Sequence, residues 1–368
     1  MQQFNRPTTT NSTAFDWLLL ALTPQIGPVT ALKLIQHFGG IAEVLNQSHN
    51  TLAQIINPTI AKLISEKASR HTAEQAISWA NAGPNRHLIS LDCELYPREL
   101  AEMRDPPLVL YAHGNIELLK NNKFAIVGTR NPSQQGMENA TAFAKNLADN
   151  NLTIVSGMAL GIDKYAHTGA LNGKASTIGI IGTGIDQVYP RANQPLYNQM
   201  LSNGGLLLSE FPLTTQPLAS NFPRRNRIIA GLSKGCLVVE SNIDGGSMIT
   251  ANLALEMGRE VMAIPGSINN PATRGCHKLI KNGAKLVENV HDILEELQVD
   301  LLTQQQQAVA TNITNPVLIA MGFEPIEIDK ICTNLNLSFA DVCPQLLELE
   351  LDGKIVNCGS GRYQRIFR

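Results

Sequence analysis

From about Lys123 the chain alternates short β-branched runs with amphipathic stretches of helical period. No other feature constrains the fold as tightly. Strands joined by helices must pair in parallel, and a parallel sheet needs cover on both faces. Strands are expected at Phe124–Val127, Leu152–Val155, Thr177–Ile181, Leu206–Leu208, Leu237–Val239 and Val261–Ile264. Helices are expected to follow after Gly136, Ile162, Asn193, Pro223 and Ser247. The fold class is therefore α/β, with a parallel-sheet core.

The 368 residues exceed what one such core needs, and the patterning divides them. Residues 1–13 are polar and read as a disordered tail. Residues 14–85 show helical periodicity, broken at Gln25-Ile26-Gly27-Pro28 and at Asn57-Pro58. The Gly27-Pro28 step suits a turn into a helix with proline at its first position, and Gly39-Gly40 suits its end. The sheet domain spans 86–298, and a glutamine-rich linker, 299–314, follows. Residues 315–368 suggest short helices followed by a small hairpin around Asn357–Gly361, the pattern of a winged helix. Six scattered cysteines form no C-x-x-C pair, which argues against a structural metal and for a reducing compartment. Leu18–Leu22 is too short an apolar run to span a bilayer, so a cytoplasmic protein without a membrane segment is expected.

In an open parallel sheet, ligands bind beyond the carboxyl ends of the strands. Those positions here read Gly128-Thr129-Arg130, Ser156-Gly157-Met158, Gly182-Thr183-Gly184, Ser209-Glu210-Phe211, Glu240-Ser241 and Pro265-Gly266-Ser267. Two further segments belong to the same edge. One is Gly245-Gly246-Ser247, with Ser247 expected to cap the next helix. The other is Arg224-Arg225-Asn226-Arg227, a basic cluster in a chain of formal net charge −2. Arginines so placed either hold an anion or pair with neighbouring carboxylates. Glycines that let backbone N–H groups approach an oxyanion, beside helix N-termini, favour phosphate.

Several chemistries lack their motifs. There is no G-x-x-x-x-G-K-S/T, and no G-x-G-x-x-G follows the first strand. No nucleophile elbow is evident, and His167 reads as a packed or capping side chain rather than a base. The edge is expected to bind phosphate without a catalytic group, a metal or a cofactor.

The ordered motifs carry a resemblance. Val127–Arg130, Ser156–His167, Gly182–Pro190, Phe222–Ser233 and Gly245–Ala251 are similar to the signatures of the DNA-processing protein A family (DprA, also called Smf). The resemblance implies a helical domain of SAM or helix-hairpin-helix type, an extended Rossmann-like domain and a C-terminal winged helix. It further implies a non-enzymatic homodimer that binds single-stranded DNA and loads the RecA recombinase in natural transformation. By motif match, DNA contact falls on Gly128, Thr129 and Arg130, on Arg225, Asn226 and Arg227, and on Arg191, Lys234 and Ser247. Gly157, Gly245 and Gly246 complete the expected site.

Two positions depart from the family pattern. Gln25 stands where a helix-hairpin-helix has its first glycine, which weighs against backbone contact to a duplex. The expected recognition helix Ser338–Leu351 carries Asp341, Glu348 and Glu350 without lysine or arginine, so it should meet protein rather than a phosphate groove. The alternative is a nucleoside-monophosphate phosphoribohydrolase, a family with P-G-G-x-G-T-x-x-E. Aligned on Gly245-Gly246, its required types fall on Asp244, Met248, Ile249 and Asn252, and the acid is lost.

Overall fold

The computed structural model describes residues 10–298, 315–322, 324–359 and 361–365. Residues 1–9 of the expected tail and the whole of the expected linker lie outside the described residues. Two compact units divide at residue 300.

The first unit opens with α1 (Thr10–Ala21), α2 (Pro28–Phe38), α3 (Ile41–Leu45), α4 (His49–Ala53), α5 (Pro58–Ser65) and α6 (Arg70–Asn81). Helix α1 thus begins inside the expected tail. The local chemistry of α2 is as read: Pro28 occupies the first turn, and Gly39 ends the helix at φ 93°, its N–H donating to Ile35 O. Asn57 caps α5 by accepting from Thr59 N–H at 2.8 Å.

A nine-stranded sheet follows. Its strands are β1 (Arg86–Ser90), β2 (Val109–Gly114), β3 (Asn122–Val127), β4 (Leu152–Ser156), β5 (Thr177–Ile180), β6 (Leu206–Ser209), β7 (Gly235–Val238), β8 (Glu260–Ala263) and β9 (Lys285–Leu286). Their spatial order is β1-β2-β6-β5-β4-β3-β7-β8-β9. Strands β3 to β9 pair in parallel. Strands β1 and β2, joined through residues 91–108, pair antiparallel and add to β6, an extension that lies outside the parallel strand–helix–strand pattern. The helices of this region are α7 (Arg98–Ala101), α8 (Gln134–Asp149), α9 (Ile162–Leu171), α10 (Gln194–Ser202), α11 (Asn221–Leu232), α12 (Gly246–Glu256), α13 (Arg274–Lys281) and α14 (Val290–Glu296).

Alternation along each strand sends side chains to two cores. Ala125, Val127, Val155, Cys236, Val238 and Ala263 share one with α11, α12 and α13. Phe124, Ile126, Ile154, Leu237 and Met262 face the other, under α8, α9 and α14. Over the β2–β6 half, the second face is covered instead by the N-terminal helices. Leu18, Leu20, Leu34 and Ile64 form one cluster with Tyr111, Leu207, Met158 and Ile181. The helical segment and the sheet therefore share a core, although the sequence reads as two domains with a seam near residue 85.

The second unit has α15 (Pro316–Met321), α16 (Ile328–Leu335), α17 (Phe339–Leu351) and a three-stranded sheet of order β10-β12-β11. These strands are β10 (Ile326–Glu327), β11 (Ile355–Gly359) and β12 (Arg362–Arg365). Val317, Met321, Ile331, Val342, Leu346 and Leu349 form its core. The arrangement is a winged helix, with a capping box from Ser338 and Asp341 starting α17.

Candidate nucleic-acid interface

Strand order reverses at β3. Successive crossovers run from β3 through β4 and β5 to β6 on one side, and the chain then returns to place β7 and β8 on the other. Such a switch point opens a crevice beyond the carboxyl ends of the central strands. A cavity of about 620 Å³ lies there. Gly128, Thr129 and Arg130 after β3, Phe222, Arg225 and Asn226 of α11, and Ser241 with Gly245, Gly246 and Ser247 line it.

The cavity walls are close-fitted. A Cβ on Gly128 would stand 2.5 Å from Ile162 Cγ1 and 2.9 Å from Glu240 O, so only glycine lets the β3 and β7 loops meet. Thr129 N–H donates to Glu240 O at 2.7 Å and fixes that junction. A Cβ on Gly157 would lie 2.7 Å from both Arg225 Nη1 and Asp163 Oδ2.

Arg225 is 4% exposed. Its Nη1 donates to the carbonyls of Gly157 and Ile180, and its Nε to Asn226 Oδ1 at 3.2 Å. Burial pushes Arg225 down to about 10, with Asp163 opposing, so it stays charged at neutral pH. Asp163 accepts from the N–H groups of Gly157 and Ala159 at 3.1 and 3.3 Å. Burial raises the Asp163 carboxyl, and Arg225 and those N–H groups pull it back. Arg225 is a fixed positive charge in the wall. It does not reach outward.

Arg130 does. It is exposed and lies 5.8 Å over the Phe222 ring, while Phe222 packs on Tyr189 with centroids 5.5 Å apart. Among the described residues no carboxylate pairs with Arg130. A cation and two rings thus sit in series at the rim. Reading the sequence for glycine and arginine leaves both aromatics unassigned, although each falls at the ligand edge of the sheet.

Three expected contacts sit elsewhere. Arg227 leaves α11 away from the cavity: its Nη2 pairs with Glu210, its Nη1 donates to Asp105 O at 2.8 Å, and its Nε lies 3.3 Å from Asp105 Oδ2. Arg224 also pairs with Glu210, at 3.1 Å. Two of the clustered arginines therefore neutralise a buried carboxylate. Lys234 precedes β7, and its N–H donates to Lys123 O at the start of β3. It stands at the amino edge of the sheet, opposite the cavity. Arg191 is exposed at the start of a 3-10 turn, outside the cavity lining.

Ser247 lines the cavity but does not cap α12. The cap is Gly245, the helix begins at Gly246, and the Ser247 hydroxyl donates to Ser241 Oγ at 2.7 Å. No atom lies within 4 Å of a Cβ built on Gly246, so that helix start is open. Asn226 Nδ2 reaches Gly246 O at 3.4 Å and ties α11 to α12.

His167 and Glu240 are both held by hydrogen bonds. His167 is fully buried, with Nδ1 2.7 Å from Thr177 Oγ1 and Nε2 accepting from Met158 N–H at 3.4 Å. Burial pushes it down to about 3, so it is neutral. The Glu240 carboxylate accepts from Ser133 N–H at 2.9 Å and from its hydroxyl, at the cap of α8.

The family model described as DNA recombination-mediator protein A matches residues 87–298. The chain belongs to this family. A second model, the DprA winged helix domain, matches residues 303–361. Among curated relatives, Protein Smf of Escherichia coli (strain K12) is 42% identical over 311 residues, covering 81% of this chain and 82% of its own. The X-ray structure of DprA from Streptococcus pneumoniae superposes with a TM-score of 0.67 at 36% identity, covering 79% of this chain and 99% of that one. A Helicobacter pylori DprA structure, described for its single-stranded DNA binding mode, gives 0.51 at 31% identity, covering 55% and 92%. Among the described residues no helix is long and apolar enough to cross a membrane.

Proposed function

We propose that this chain binds single-stranded DNA at the carboxyl edge of its sheet and delivers the strand to a RecA-type recombinase in recombination and natural transformation. The observation that carries the proposal is the Arg130–Phe222–Tyr189 series at the cavity rim. Cation and ring faces suit what all single strands share, a phosphate row and base π-faces, so binding should be independent of sequence. The single-stranded DNA binding mode described for the Helicobacter pylori relative supports the same reading.

In this proposal Gly128, Thr129, Gly157, Asn226, Gly245, Gly246 and Ser247 shape the floor, Arg225 supplies fixed charge, and Arg191 extends the rim beyond Tyr189. No reaction is assigned. Of the edge glutamates, Glu240 is held by Ser133 and Glu210 by Arg224 and Arg227, so neither is the free acid a phosphoribohydrolase would need. The homodimer implied by the family resemblance belongs to the same proposal, and sedimentation at twice the chain mass would bear it out. Helix α17 exposes Phe339, Leu347 and Leu351 beside Glu348 and Glu350, which supports a protein contact for the winged helix.

Fluorescence anisotropy with labelled oligothymidylate across a salt series tests the DNA reading. Arg130→Ala should flatten the slope of log K against log salt by about 0.7, the loss of one phosphate. Phe222→Ala should cost about 1–3 kcal/mol of affinity through lost stacking. Unchanged titrations for both variants would remove the basis for the proposal.

A further inference from the structure

Helix α13 carries a basic face that no part of the cavity accounts for. Arg274, His277, Lys278 and Lys281 recur at i, i+3, i+4 and i+7 and so share one side. Gly275, Cys276 and Leu279 are buried on the other. Arg274, Lys278 and Lys281 are exposed and have no carboxylate partner among the described residues. Glu295 and Glu296 of α14 lie within ion-pair distance of Lys285 instead. His277 differs from the other three because its Nε2 lies 2.9 Å from Gly266 O and helps hold that loop.

The placement of α13 matters as much as its charge. Gly275 N–H donates to Ser241 O at 2.7 Å, and a Cβ there would stand 2.6 Å from the same oxygen. Ser241 and its neighbour Asn242 line the cavity. Arg274 therefore leaves the chain one residue from a cavity wall. The helix then runs back along the sheet between β8 and β9, and at 1.5 Å per residue Lys281 lies about 10 Å further on. That length accommodates roughly two phosphates of an extended strand.

We propose that a strand leaving the cavity on its β7 side continues along α13, its phosphates held by Arg274, Lys278 and Lys281. This is a second subsite of purely ionic character, without rings, and it rests on the single-stranded DNA reading. It makes the occupied length greater than the cavity alone allows.

The triple variant Arg274→Gln/Lys278→Gln/Lys281→Gln tests it. All three side chains are exposed, and an unchanged thermal melt would establish that the variant folds. The probes are labelled oligothymidylates of about five and about twenty nucleotides, titrated across salt. The short probe fills only the cavity and should bind both proteins alike. For the long probe the slope of the triple variant should be shallower by about 1.4, from roughly two lost phosphates at 0.7 each. Equal slopes on the long probe would overturn the subsite, as would an equal loss on both lengths. Failure of the wild-type chain to bind either probe would instead overturn the DNA reading beneath it.

Discussion

Arg227 separates a DNA-contact role from a structural one. Its Glu210 partner has 2% side-chain exposure, and Arg227 itself 7%. Arg227→Ala would leave Glu210 buried with only Arg224, which is half exposed. Stranding a buried carboxylate costs about 3–5 kcal/mol. For a unit of this size that corresponds to a fall in Tm on the order of 10 °C. The loss should also depend on pH in a defined direction. Burial already raises Glu210, with Arg227 the leading opposing influence, so the variant must raise it further. In the interval above the ordinary carboxylate range the folded state then binds more protons than the unfolded one, and stability falls as pH rises. The defect should therefore be largest near neutrality and shrink on acidification. Calorimetry at several pH values measures this, and the double variant Arg227→Met/Glu210→Met should recover much of the loss. At a temperature where the single variant remains folded, its salt slope for oligothymidylate should match wild type. A wild-type Tm combined with a shallower slope would refute the structural role and make Arg227 a phosphate contact.

Two further outcomes are expected. His167 is pushed down to about 3 when folded, against an ordinary value of 6.5, so between those values the unfolded chain takes up a proton that the folded chain refuses. Stability should drop by about 2 kcal/mol between pH 7 and pH 5 through this group alone. Urea midpoints for wild type and His167→Asn isolate it, and identical pH dependence in the two would show the assignment to be wrong. Ending the chain after Asp300 should leave oligothymidylate affinity within about twofold of the full chain, because α17 presents carboxylates and apolar side chains. A tenfold loss in a folded product would reassign the winged helix to DNA.

The parallel core is legible in the sequence because its central strands are short apolar runs, buried on both faces, that alternate with stretches of helical period. The cavity residues are legible for a related reason: the carboxyl ends of strands can be found without knowing how the strands are ordered. Side-chain direction is not legible in the same way. Arg225 and Arg227 are two positions apart on α11, and the helical turn aims one at Gly157 and the other at Glu210. Lys234 shows a different loss, since a residue just before a strand belongs to the far edge however close its neighbours are to a motif. The aromatic pair at the rim depends on a contact between Tyr189 and Phe222, 33 positions apart in the chain, which no local pattern encodes.

The core shared by the N-terminal helices and the sheet has a consequence for the binding loop. Met158, held at φ 56° and almost fully buried, belongs both to that core and to the turn carrying Gly157 and Ala159. In the proposed binding mode the helices would act as a backstop, because the turn rests on the cluster that holds Leu34, Ile64 and their neighbours. Weakened DNA binding should accordingly arise from cavity-forming substitutions in α2 or α5, in side chains that never come near a nucleotide.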